Sequence, residues 1–377
     1  MQLFYWLKKR SLTTPALALL VLLHFFVLAR IEIWRYLSGS LQLWDFDVYY
    51  HTARDVLSGA NPYRLPYMQT LGPPLVILPF VPFLLLPLQF GRSLVILISL
   101  IGVYATGWVL AGTIAPKHRI FGTLLLSFLL LLCFPVRFNF DVGQLNLVVM
   151  LLVAVVLTSA NQRLQGVSAG IMAVIKTNYV LLLLAFLKHS RSAVITAAIT
   201  LCFSALLSLL LFRPSAYQTF FTERAQTTIL SSSATVGADY YNQSLRATIA
   251  RFHMEKWYLT VLIILAVAGL FYVLKTGDVY TGLLLSLLLS PVVWQHYLPV
   301  IYPAIILKAH RMIEARKVSW WFGFSVLLLV LHLPWLHGKS AVFPYNILAS
   351  HYFIGLVALL GSWMHSNRSE THATVES

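Results

Sequence analysis

Trp44-Asp45-Phe46-Asp47-Val48-Tyr49-Tyr50, with Gly59-Ala60-Asn61-Pro62-Tyr63 shortly after it, follows the first long apolar run and sets two carboxylates among aromatic side chains. Only 10% of the 377 residues are charged and 12 are acidic, so a pair of acids here is a costly choice for filler. The stretch reads as an active-site loop at a membrane surface; the plainer reading is an interfacial aromatic belt whose acids face water. In an extended segment residues two apart share a face, whereas on a helix they do not. Asp45 and Asp47 can therefore line one pocket only if the chain is extended here.

On either side of this stretch the chain is apolar. Hydrophobic residues make up 59% of it and the mean hydropathy is +0.79, well above a soluble domain. Residues 15–28, 93–115, 120–134, 192–212, 257–274, 320–336 and 347–363 form apolar runs near the length of about 20 residues that a membrane-crossing helix needs. The expected fold is an all-α polytopic membrane protein of about ten to twelve spans, following the same span length. No linker or repeat divides it, so residues 1–364 read as one domain and residues 365–377 as a short cytoplasmic tail. Cys133 and Cys202 both lie in apolar runs and read as packing residues. Lys8-Lys9-Arg10 before an apolar run resembles a signal peptide, but no small-residue cleavage site follows, and a retained first helix is expected.

The net charge of +15 sets the orientation. Basic residues at 8–10, 117–119, 163, 188–191, 275 and 308–317 occupy short connections, which the positive-inside bias assigns to the cytoplasm of a cell-membrane protein. Both termini then lie inside, and residues 32–70, 137–146, 213–256, 291–296 and 337–346 lie outside. Two segments resist simple threading. Residues 73–88 carry five prolines and must kink or turn back. Residues 166–187, with cytoplasmic charge on both flanks, read as two short helices meeting at Lys176-Thr177-Asn178. Gly166 and Gly170, four residues apart, suggest a close helix contact.

The outer loops nevertheless hold Arg35, Arg54, Arg64, Arg137, Arg224, Arg246 and Arg251, on the side that opposes the topology signal. Guanidinium groups collected there suit an anionic ligand such as phosphate, with headgroup contact or pairing to outer acids as the alternative. Lys176 inside an apolar stretch is a candidate for phosphate, against a snorkelling role. There is no dinucleotide or P-loop fingerprint, no cofactor motif and no metal-ligand cluster; Asp45, Asp47 and Asp55 could gather a divalent cation, but the outer arginines can replace it, and a metal-independent reaction without cofactor or nucleic acid is expected.

Five motifs taken in order carry a resemblance. Asp45-Phe46-Asp47-Val48-Tyr49-Tyr50 with Pro62-Tyr63, then Pro73-Pro74-Leu75, Gly143-Gln144-Leu145-Asn146, Asn242-Gln243-Ser244-Leu245 and Ser290-Pro291-Val292-Val293-Trp294-Gln295-His296 together resemble glycosyltransferase family 87. The family consists of integral-membrane enzymes of the GT-C type, including polyprenyl-phosphate-mannose-dependent mannosyltransferases. This chain departs from it in having Gly72 before the double proline, Thr177 and Asn178 after the lysine, and Tyr297 after the histidine.

The resemblance implies a polyprenyl-phosphate-sugar donor, a lipid or glycan acceptor, membrane lipids as surroundings, and inversion at the anomeric carbon on the outer face. It implies that Asp45 is the general base, with Asp47 as its rival, and that His296 donates to phosphate or orients the acceptor, the alternative being a helix-capping histidine. Gln144, Asn146, Asn242 and Gln243 can bond sugar hydroxyls or cap helix ends. Tyr49, Tyr63 and Trp294 can stack on a sugar or belong to the belt. Arg64, Lys176, Arg246 and Arg251 complete the expected substrate contacts. A transporter or flippase for an anionic lipid-linked substrate is the competing reading, since it too would use broken helices and an intramembrane lysine.

Overall fold

The computed structural model describes residues 13–30, 42–65, 72–225 and 239–375; Lys8 to Arg10, Glu32 and Arg35 fall outside them. The described residues form helices throughout, with one isolated antiparallel bridge between Asn242 and Trp294. Among the described residues, three helices are long and apolar enough to cross a membrane: Leu88–Ile114, Arg191–Leu211 and Glu255–Thr276. A fourth span results if Pro116–Leu132 and Phe134–Val142, bent by 73° to each other, count as one. Six shorter apolar helices, among them Pro15–Ala29, Asn146–Thr158 and Val279–Leu288, have 10–17 residues each. At about 1.5 Å per residue these fall short of a core about 30 Å thick unless neighbouring segments extend them. Among the described residues the full-length spans are thus fewer than the ten to twelve expected, because prolines and polar residues interrupt the apolar runs.

The long helices divide into two kinds. In the apolar windows of Arg191–Leu211 and Glu255–Thr276 only 11% of residues are buried, against 50% in Leu88–Ile114. A helix that is apolar all round yet exposed within the protein has lipid as its natural neighbour. Leu88–Ile114 instead supports the core, in which Phe46, Ile77, Val103, Leu147, Met172, Tyr179, Leu284 and Leu298 pack as one cluster.

Both irregular segments are irregular in the structure. Residues Pro74–Leu85 form a 3-10 helix with Pro79 and Pro82 inside it, a geometry that does not depend on the i→i−4 bonds proline removes. The helix Gln162–Ile175 stops at Lys176, whose backbone is extended (φ −146°, ψ 112°), and the 3-10 turn Thr177–Leu181 leads into Leu182–His189. Gly166 and Gly170 let Gln162–Ile175 lie against Arg191–Leu211: a Cβ on Gly166 would meet Thr196 Oγ1 at 2.0 Å, and one on Gly170 would meet Thr200 Cβ at 2.7 Å. The last helix runs His351–Val375, so the tail residues up to 375 continue it.

Residues Trp44–Leu57 depart most from expectation, being a helix and not a loop. Phe46, Tyr50, Ala53 and Val56 recur at helical spacing and are buried. Asp45 and Asp47 stand in its first turn, where carboxylates oppose the positive end of the helix dipole.

Candidate active site

Helical geometry separates the two acids. At about 100° per residue, positions two apart point to different sides of a helix. Asp47 is buried and receives a bidentate pair from Arg92, Nε to Oδ1 at 2.8 Å and Nη2 to Oδ2 at 2.6 Å. Arg92 lies near the start of the Leu88–Ile114 helix, so the pair ties the two elements together. Asp45 faces elsewhere, with a third of its side chain still accessible (34%).

The partner of Asp45 comes from 99 residues away. The helix Phe134–Val142 ends at Gly143, whose φ is +71°, a left-handed conformation that glycine adopts without strain. The same glycine touches the start of Trp44–Leu57: a Cβ there would lie 2.8 Å from Phe46 Cβ and 2.9 Å from Leu43 Cβ. This close approach delivers Gln144, whose Nε2 donates to Asp45 Oδ2.

Gln144 is held from its other end as well. Its Oε1 accepts from Lys176 Nζ at 2.9 Å and from Asn146 Nδ2 at 3.1 Å. Asn146 Nδ2 also donates to Asn139 Oδ1 at 3.0 Å, and Asn139 Nδ2 donates to the His296 carbonyl at 2.8 Å. Lys176 Nζ sits 3.1 Å from the centre of the Tyr297 ring, a cation–π contact. His296 Nε2 is 3.6 Å from Asp45 Oδ2, an ion-pair separation too long for a hydrogen bond. Neither ring nitrogen of this buried histidine has a hydrogen-bond partner among the described residues. Tyr49, one turn after Asp45, stacks on Phe80 with ring centres 4.4 Å apart.

The result is a compact constellation of Asp45, Gln144, Asn146, Lys176, His296 and Tyr297. Burial pushes the Asp45 carboxyl above the usual carboxylate range, while the Gln144 N–H and the Lys176 charge pull it the other way. A carboxylate so placed can take a proton, and the unpaired nitrogens of His296 can bond an incoming group.

The remaining expected site residues lie elsewhere. Asn242 and Gln243 form a clasp on the strand-like turn that leads to His296. Gln243 N donates to Val293 O at 2.6 Å, Gln295 N to Tyr241 O at 2.9 Å, and Gln243 Nε2 to Ala349 O at 2.8 Å. Asn242 Oδ1 accepts from Val293 N at 3.3 Å, and Trp294 bridges Asn242 through its backbone. Arg251, fully buried, gives its guanidinium to the carbonyls of Asp239 and Asn242 and, at 3.2 Å, to Ser350 Oγ. Desolvation lowers its pKa to about 10, which leaves it charged near neutrality. These contacts make it a strut of the clasp. Arg246 is buried beside Tyr258. Arg64 is exposed and pairs with Glu223 at 3.0 Å. Tyr63 is buried with its hydroxyl donating to Gly72 O at 2.8 Å, which makes it a brace between the segments before and after residues 66–71.

Sequence reading missed Arg92, Asn139 and Tyr297. Arg92 carried a signal, since it is a cation at the start of a span within a chain rich in partnerless-looking arginines. Asn139 and Tyr297 carried none, because their roles depend on what packs against them.

With this geometry in view, comparison with known proteins decides the family. The sequence profile of glycosyltransferase family 87 matches residues 71–294, more than half of the chain. The chain belongs to glycosyltransferase family 87. It is also 27% identical over 286 residues to the polyprenol-phosphate-mannose-dependent alpha-(1-2)-phosphatidylinositol pentamannoside mannosyltransferase of Mycolicibacterium smegmatis, covering 70% of this chain and 67% of that one. No solved structure matches. Family membership makes this a glycosyltransferase homologue of the GT-C superfamily. Gln144, Asn146, Lys176, Asn242, Gln243 and Trp294 fall within the matched residues, whereas Asp45 precedes them and His296 follows them.

Proposed function

We propose that this protein transfers a hexose, mannose by analogy with its mycobacterial relative, from a polyprenyl-phosphate-sugar donor to a hydroxyl of a lipid or glycan acceptor at the outer face of the cell membrane. The observation that carries the reading is the Asp45 carboxylate, partly open, held by Gln144 and flanked by Lys176 and His296 within a family 87 chain. In the proposed step the acceptor oxygen bonds the anomeric carbon as the bond from that carbon to the donor phosphate oxygen breaks. Asp45 takes the hydroxyl proton and polyprenyl phosphate departs with the electron pair. Lys176 and His296 supply the positive charge and the hydrogen-bond donor that a departing phosphate requires.

Inversion is supported by the number of acids at hand. Retention by double displacement uses a second carboxylate as nucleophile, and the other acid in the first turn of this helix, Asp47, is committed to Arg92. Membership of a transferase family weighs for chemistry over transport of an anionic lipid. The shorter apolar helices, extended by their flanking segments, would bring the spans towards ten to twelve, in one domain over residues 1–364 with both termini cytoplasmic.

The direct test supplies purified protein in nanodiscs with radiolabelled polyprenyl-phosphate mannose and a bacterial lipid extract. Labelled product is expected with the wild type and not with Asp45→Asn. Product formed from a nucleotide sugar and not from the lipid donor would overturn the reading.

A further inference from the structure

The helix Phe134–Val142 has a second face that the proposed chemistry leaves unused. Its buried residues are Pro135, Val136, Asn139, Phe140 and Val142. At about 100° per residue the opposite side carries Phe134, Arg137, Phe138 and Asp141. That side is lined with aromatic rings. Phe138 meets His296 edge-on at 5.3 Å and Tyr241 at 5.4 Å, Phe134 stacks on Phe138 at 5.3 Å, and His332 stacks on Phe134 at 3.4 Å. An aromatic lane therefore runs from the histidine of the active site along one helix to His332.

Two nitrogens along this lane are enclosed without a hydrogen-bond partner among the described residues: Arg137 Nε and His332 Nδ1. Arg137 takes part in none of the ion pairs seen among the described residues. An enclosed guanidinium donor that meets no acceptor is unfavourable in the free protein, so its presence points to a ligand that satisfies it. The planar fork of arginine suits phosphate.

We propose that Arg137 and His332 form an anion subsite that receives the phosphate of a substrate, on a wall held rigid by the stacked rings of Phe134 and Phe138. The identity of the bound class rests on the transferase reading; the existence of the subsite does not. The phosphate can belong to the donor or to an anionic glycolipid acceptor, and binding without turnover separates these.

Wild type, Arg137→Gln, Arg137→Lys and His332→Gln would be placed in phosphatidylcholine nanodiscs and titrated with farnesyl phosphate and, separately, with phosphatidylinositol, a lipid that joins a phosphodiester to a polyol ring. Arg137→Gln is expected to weaken one probe by about tenfold or more, the worth of a charge-assisted hydrogen bond, while Arg137→Lys keeps part of the affinity. Loss for phosphatidylinositol alone assigns the subsite to the acceptor, and loss for farnesyl phosphate alone assigns it to the donor. Unchanged or equally weakened binding of both probes in Arg137→Gln and His332→Gln would overturn the subsite. A wild type that binds phosphatidylinositol in an Arg137-dependent way yet transfers no sugar would instead count against the transferase reading alone.

Discussion

At the scale of single residues, the two acids in the first turn of the Trp44–Leu57 helix separate into different duties, and each makes a prediction. Asp45→Asn should leave donor binding intact and cut sugar transfer by about a hundredfold or more, the lower range for a general base. Asp47→Asn should act on stability, since it strands Arg92 in a mostly buried pair (side chains 9% and 16% accessible). Removing one partner of such a pair costs about 3 kcal/mol, so the thermal midpoint should drop while the pH profile of surviving activity keeps its shape. The pH dependence follows from the direction of the Asp45 shift. Burial raises its pKa, and the base works only when deprotonated, so kcat/KM should fall as pH is lowered through a value above the usual carboxylate range. Gln144→Leu removes the N–H that favours the charged form. That limb should move further up, and kcat/KM at neutral pH should fall about tenfold or more, in keeping with about 1.5–3 kcal/mol for a hydrogen bond to a charged group. An acid limb that stays put in Gln144→Leu would remove Gln144 from this role.

Among the elements, the turn at Gly143 and the clasp around Asn242 decide how well the site is assembled. Gly143→Ala must accommodate both a left-handed backbone and a Cβ 2.8 Å from Phe46. Its expected cost is about 1 kcal/mol or more in stability, with a larger relative loss of turnover because Gln144 is displaced from Asp45. Arg251→Gln should loosen the clasp that bears His296, lowering the unfolding midpoint and kcat together and leaving the donor KM of the folded fraction unchanged. A raised donor KM without loss of stability would instead return Arg251 to the phosphate. Both the break at Lys176 and the irregularity after Pro73 could be read in advance, since a lysine in an apolar run and clustered prolines are local signals. The Trp44–Leu57 helix was equally readable from the spacing of Phe46, Tyr50 and Ala53, and the aromatic and acidic residues between them obscured it.

For the whole molecule, orientation carries the greatest weight, because an outer-face reaction requires Asp45 outside. After Cys133 and Cys202 are changed to alanine, a cysteine at exposed Ser58 should react with an impermeant thiol reagent on intact cells. One at exposed Ala315 should react only after lysis. Labelling of Ser58→Cys from the cytoplasmic side alone would place the carboxylate opposite nucleotide sugars and remove the lipid-donor reading. The sequence by itself determined that this is an apolar, helical chain, where its polar interruptions fall, and which motifs tie it to family 87. These are sums and patterns over neighbouring residues, and they survive whatever the packing. The tertiary structure decided that Asp45 and not Asp47 meets Gln144, that Arg251 braces a loop, and that His296 stands beside the carboxylate. Those contacts join positions as much as 99 residues apart or more, and they depend on helix rotation and close backbone approach, which no local pattern encodes.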